Sequence, residues 1–166
     1  MMKRWIVMLA SLAFLVAVQP AEEAEAQVMF GPQVVLWDFD ELGIGARVDF
    51  GLADAFGIED GFFQTLFGSA NVSYLLLDGD GTPLDINLNA NVSFDTDANV
   101  RPYAGAGINH LRFSFGGFTV SNSGLNLLGG LFFDLGSVPA FGELKYSTSG
   151  AGFLTLSGGV LFGGGS

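Results

Sequence analysis

The chain has 166 residues, 25 of them Gly and 17 Phe, with no Cys, 14% charged residues and a formal net charge of -11. That length suits one domain rather than two. The missing cysteines exclude disulfides and thiolate metal sites. The acidic balance excludes a basic nucleic-acid patch and docking on anionic headgroups through basic residues.

A soluble domain carries roughly 25% charged residues. Here the charge is lower and the mean hydropathy is +0.46. Yet beyond residue 20 no apolar run reaches the ~20 residues of a spanning helix. Polar or glycine residues instead interrupt the apolar ones at every second position, as in membrane strands.

The chain begins like an export signal. Lys3 and Arg4 form a positive region, Trp5 to Val18 an apolar one, Pro20 a break, and Ala24-Glu25-Ala26 a cleavage pattern. A retained anchor helix is the rival, but the apolar core is short for a span. Residues 1–26 are therefore expected to be a cleaved signal peptide, residues 27–162 the folded domain and residues 163–166 a Gly/Ser tail. The part after residue 26 holds 14 acidic and 4 basic residues.

From there the period is 2. A first strand is predicted over Met29 to Trp37, with Pro32 near its start, where a missing N–H is tolerated. A second runs from Leu42 to Leu52, setting Leu42, Ile44, Ala46, Val48 and Phe50 against Gly43, Gly45, Arg47, Asp49 and Gly51. Ala53 to Phe67 breaks the period and reads as a short amphipathic helix or a folded interfacial loop, with a ninth short strand as the rival. A third strand spans Ser69 to Leu77. The fourth is the clearest: Leu84, Ile86, Leu88, Ala90, Val92 and Phe94 alternate with Asp85, Asn87, Asn89, Asn91 and Ser93. The fifth covers Val100 to His110, the sixth Leu125 to Leu135, the seventh Ala140 to Ser147 and the eighth Phe153 to Phe162.

Eight strands of about 9–11 residues suit a minimal membrane barrel. The two faces decide between a membrane barrel and a soluble one. A soluble ligand-binding barrel shows its charged face to water. Here the polar face is Gly, Asn and Ser with sparse charges, which suits a narrow lumen filled by side chains. The other face is aliphatic and aromatic, which suits lipid, where only a closed barrel pairs every backbone group. Phe30, Trp37, Phe94, Phe113, Phe115, Phe153 and Phe162 lie near strand ends, at the depth of an aromatic girdle. The fold class is therefore all-β: a closed antiparallel up-and-down transmembrane β-barrel. With a periplasmic N-terminus, the outward connections are residues 38–41, 78–82, 111–124 and 148–152.

Candidate site residues follow from those faces. Arg47, Asp49, Asp85, Arg101, Tyr103, Asp134, Glu143 and Lys145 are expected in a polar lumen network, because buried charges need partners. Such a network either plugs the barrel or lines a water or ion path. Asp78, Asp80 and Asp85 sit in a run resembling a calcium loop, but position twelve is Asn89, where that loop needs Glu. His110 is the sole histidine, so a multi-histidine metal site is excluded. The Gly-x-Gly pairs lie inside strands and fail the context of a dinucleotide loop. No cofactor is expected.

Arg101-Pro102-Tyr103-Ala104-Gly105-Ala106-Gly107 resembles a strand of small bacterial outer-membrane barrels of the OmpX/OmpW and OmpA-barrel type. Phe141 to Tyr146, followed by Leu156 to Phe162, is similar to that group's closing strand pair. The resemblance implies a monomer in the bacterial outer membrane, with its lipids and assembly machinery as partners and no nucleic acid. The group usually ends on an aromatic residue, whereas here Phe162 is followed by the Gly/Ser tail. Some barrels of this size are lipid A deacylases with a Ser two positions after a His; Arg112 stands there, and Ser114 is next on that face. The function expected is a structural or surface protein without catalysis. The alternatives are a small channel or carrier for hydrophobic or small solutes, and a soluble periplasmic ligand-binding barrel.

Overall fold

The structure is a computed structural model that describes residues 28–76, 81–96 and 98–164. The signal-peptide reading of residues 1–26 lies outside them, as do Asp78 and Asp80 of the calcium-loop reading.

Alternation of apolar and polar residues produces strands throughout: β1 (Met29–Trp37), β2 (Glu41–Gly51), β3 (Leu66–Leu75), β4 (Thr82–Ser93), β5 (Val100–Phe115), β6 (Phe118–Leu135), β7 (Val138–Ser147) and β8 (Phe153–Val160). Each pairs antiparallel with the next, and β1 also pairs with β8, so the sheet closes on itself. A short β9 (Phe162–Gly163) pairs with Met29 and Phe30 of β1. It keeps the β1–β8 register, with Gln33 opposite Gly159 and Phe30 opposite Phe162. β9 is thus the tail of β8. The gap falls opposite Pro32, which has no N–H to give, and beside Gly31, where a Cβ would strike the Val160 carbonyl. The barrel is eight-stranded, as the alternation predicts.

Three predicted boundaries are corrected. β3 starts at Leu66, not Ser69; Gly68 obscures the alternation, and the ring of Phe50 fills the space over it. β5 and β6 extend to 16 and 18 residues. The predicted connection of residues 111–124 is instead strand up to a Gly116-Gly117 turn. Both glycines have positive φ, 53° and 86°, as a two-residue hairpin turn of the primed type requires. The alternation was hard to see there because its polarity inverts, as described below.

Between β2 and β3 the chain forms a folded loop with one 3-10 turn, Asp54–Phe56, ended by Gly57 at φ 66°. Leu52 and Ala53 both donate to the Leu66 carbonyl, so the loop leaves and rejoins the wall at one point. The turn is too short for an amphipathic helix, and no strand forms there.

Candidate functional site

β2 points Arg47 into the barrel, and β7 points Glu143 at it from the far wall. Arg47 Nη1 donates to Glu143 Oε2 at 2.7 Å and to Tyr103 Oη at 3.1 Å. Its Nε donates to Asp49 Oδ1 at 2.7 Å, and the Tyr103 hydroxyl donates to Glu143 Oε2 at 2.9 Å. Arg47, Asp49, Tyr103 and Glu143 are all at least 98% buried. The guanidinium lies 4.3 Å from the Phe141 ring centroid and 5.4 Å from that of Tyr103. Tyr103 stacks on Phe132 at 4.7 Å, and both meet Phe67. Gly130 makes room for this layer, since a Cβ there would collide with the Tyr103 phenol. A charged cluster over an aromatic floor therefore fills the lumen near the rim where β1 begins.

Toward the other rim the filling is amide and hydroxyl around one ion pair. Asn126 Nδ2 donates to Asn87 Oδ1 and Asn89 Oδ1, both at 2.8 Å, and Asn126 Oδ1 accepts from Ser147 at 2.7 Å. Lys145 Nζ reaches Asp85 Oδ2 at 3.1 Å, and Asn87 donates to the same oxygen at 2.8 Å. Gln33 bonds Ser73, and Asn109 bonds Ser149. The Asn126–Asn87, Asn126–Asn89, Lys145–Asp85 and Gln33–Ser73 contacts join strands that are not neighbours in the sheet, so they cross the interior. Trp37 and Phe153 pack at 4.2 Å at this end, with Phe153 buried.

Six of the eight residues proposed for the lumen network are thus brought together in two clusters: Arg47, Asp49, Tyr103 and Glu143, then Asp85 and Lys145. Arg101 and Asp134 are not among them. Both are exposed and line a cavity of about 370 Å³ at the mouth, with Asp95 and Phe132. Their alternation is right, but they sit at strand ends, where the lumen opens to water. Asp85 lies inside β4 against Lys145 rather than in a loop. Of the seven girdle aromatics only Phe30, Phe94 and Phe162 sit on the outer face. Trp37 and Phe153 turn inward by strand parity, while Phe113 and Phe115 stand above the barrel. Sequence reasoning missed Asn126 as a hub and Phe67, Phe132 and Phe141 as a floor. Strand parity places Phe141 with Glu143 and Lys145, and that was the available signal.

Above the barrel the β5–β6 hairpin projects from the rim opposite the chain ends. Its outward face changes character at one rung. Ile108 pairs with Leu125, and the next outward pairs are His110 with Ser123, Arg112 with Ser121 and Ser114 with Thr119. The inward face carries Leu111, Phe113, Phe115, Phe118 and Val120. From the His110–Ser123 rung onward the outward face is polar and the inward face apolar, the inverse of the wall below it. β7 leaves β6 at Asn126 and Ser149 still lies against Gly124, so Phe118 to Ser123 has no paired strand on that side among the described residues. His110 Nδ1 lies 2.9 Å from Ser123 Oγ, while Ser114 bonds Thr119 across the hairpin. The His110–Ser114 pairing considered from sequence does not form. Among the described residues no carboxylate bonds the His110 ring.

No protein-family model matches the chain, and no curated protein matches it in sequence. Solved structures do share its fold. A de novo designed transmembrane β-barrel has a TM-score of 0.57 at 10% identity, covering 86% of this chain and 99% of that one. Ail, the attachment invasion locus protein of Yersinia pestis, in complex with the heparin analogue sucrose octasulfate, scores 0.52 at 16% identity, over 85% and 100%. The outer membrane enzyme PagL scores 0.51 at 15% identity, over 81% and 98%. At such identities the likeness is one of fold. The aliphatic outer wall and the filled polar lumen agree with it. In fold, this chain is a small closed antiparallel β-barrel of eight strands, similar to those of the outer-membrane proteins Ail and PagL.

Proposed function

We propose that the protein is a closed, non-catalytic barrel of the bacterial outer membrane that serves envelope integrity or surface adhesion. The carrying observation is the Arg47 cluster with its aromatic floor, which occupies the lumen from wall to wall. The projecting hairpin supports the surface role, because it offers an open strand edge outside the lipid. In this reading residues 1–26 direct export and are removed. The assembly machinery then inserts a monomer, and membrane lipids cover the aliphatic wall.

Planar bilayers with the purified protein test it. The expected record has no conductance steps above the blank. Discrete steps in the wild-type protein would overturn the closed barrel and favour the channel reading.

The absence of catalysis is tested separately. Lipid A from cells producing the protein should have an unchanged acyl pattern by mass spectrometry. Loss of an acyl chain that disappears in Ser123→Ala would instead assign the His110–Ser123 pair a hydrolytic role.

A further inference from the structure

We infer that the loop between β2 and β3, residues 52–65, is a foot that rests on zwitterionic phospholipid of the membrane leaflet at the chain-end rim. The inference depends on the outer-membrane reading and specifies one of its lipid contacts. Outer-membrane barrels usually have short turns on the periplasmic side. Here the longest connection between strands shares a rim with Met29 and Gly163, which is the periplasmic rim in the reading with a periplasmic N-terminus.

The loop carries three large exposed aromatics: Phe56 at 69%, Phe62 at 64% and Phe63 at 53%. Phe62 packs on Phe63 at 5.1 Å and on Phe94 at 6.0 Å. Phe94 follows β4 on the parity of Ile86, Leu88 and Val92, the lipid-facing side. Thr65 Oγ1 bonds the Ser93 carbonyl and ties the loop to that wall. Val92, beside this tie, is only 9% exposed, although Leu88 on the same strand face is 50% exposed. The aromatic cluster is therefore continuous with the aliphatic belt, and the surface that covers the belt covers the cluster too. Phe rings suit the boundary between headgroups and acyl chains.

Charge selects the lipid. Asp54, Glu59 and Asp60 lie in the loop, with Asp95 at its side. There is no Lys or Arg between Arg47 and Arg101. Three to four carboxylates repel an anionic surface within about one Debye length, ~10 Å at 0.1 M salt. A zwitterionic headgroup layer imposes no such repulsion.

Depth-dependent fluorescence quenching tests the proposal. Trp5 and Trp37 are replaced by Phe in the full chain, and Phe62→Trp or Leu88→Trp is added as the probe. The proteins are folded into phosphatidylcholine vesicles carrying bromine at shallow or deep acyl positions. The Phe62→Trp probe is expected to be quenched most by shallow bromines and shielded from acrylamide, and Leu88→Trp most by deep ones. Adding phosphatidylglycerol at low salt should lower the shallow quenching of the Phe62→Trp probe, and high salt should restore it. Acrylamide access without bromine quenching at Phe62→Trp, with Leu88→Trp still quenched, overturns the foot and leaves the barrel standing. Loss of bromine quenching at both probes overturns the membrane reading itself. Equal quenching of Phe62→Trp in both lipids at low salt overturns the zwitterionic preference.

Discussion

Replacing Arg47 by Met should lower the stability of the folded barrel by about 3–5 kcal/mol, the usual cost of stranding the partners of a buried ion. Arg47 is 1% exposed and bonds Asp49, Tyr103 and Glu143 together. Without it, two buried carboxylates face an aromatic floor with no cation beside them. Lys145, the other buried cation of the lumen, is already committed to Asp85. Urea titration in lipid vesicles, followed by heat-modifiable gel migration, reads the loss. Adding Glu143→Gln to Arg47→Met should recover part of it, because one of the stranded charges is then gone. A double variant that loses the sum of the two single losses would show that the pair is not coupled and that the cluster is not the lumen's tie.

Leu88→Arg separates a membrane barrel from a water-soluble one. Leu88 is half exposed in the middle of β4. On a soluble surface such a change stays within about ±0.5 kcal/mol. At the bilayer midplane, an arginine on the lipid face of a barrel costs about 2–4 kcal/mol. The same vesicle titration should therefore show a large loss for Leu88→Arg and almost none for Ser123→Arg, which lies on the first polar rung of the hairpin. Equal, small effects at both positions would place both surfaces in water. The paired substitutions also locate the lipid boundary, between the Ile108–Leu125 and His110–Ser123 rungs.

Strand four shows why so much of the fold was legible. Its aliphatic and amide residues alternate without a break from Leu84 to Ser93, and β4 follows them residue by residue. A strand with one face in lipid and one in a polar lumen has two distinct solvents, so its sequence must carry the period. The loop at 52–65 and the hairpin at 110–124 obey other solvents. The loop contacts a wall and an interface at once. Along the hairpin the outward face becomes polar while the inward face becomes apolar. A reader looking for one constant polarity sees the alternation stop there, although the backbone continues.

The candidate site divides in the same way. Polar residues on the lumen parity were expected to form a network; Arg47, Asp49, Tyr103 and Glu143 meet in one cluster and Asp85 and Lys145 in another. Arg101 and Asp134 share that parity but lie at strand ends. Alternation tells inside from outside but does not tell depth.

By itself, then, the sequence determined the closed antiparallel barrel, its strand count and the inward face of most of its strands, because a period of 2 acts locally along each strand. Only the tertiary structure decided which inward residues meet. Arg47 and Glu143 are 96 positions apart, on walls that become opposite only after closure and stagger set the register. The same closure stacked Tyr103 on Phe132, raised the hairpin above the barrel rim and laid the aromatic loop against the end of β4. Each depends on heights around the barrel, which no single strand's pattern contains.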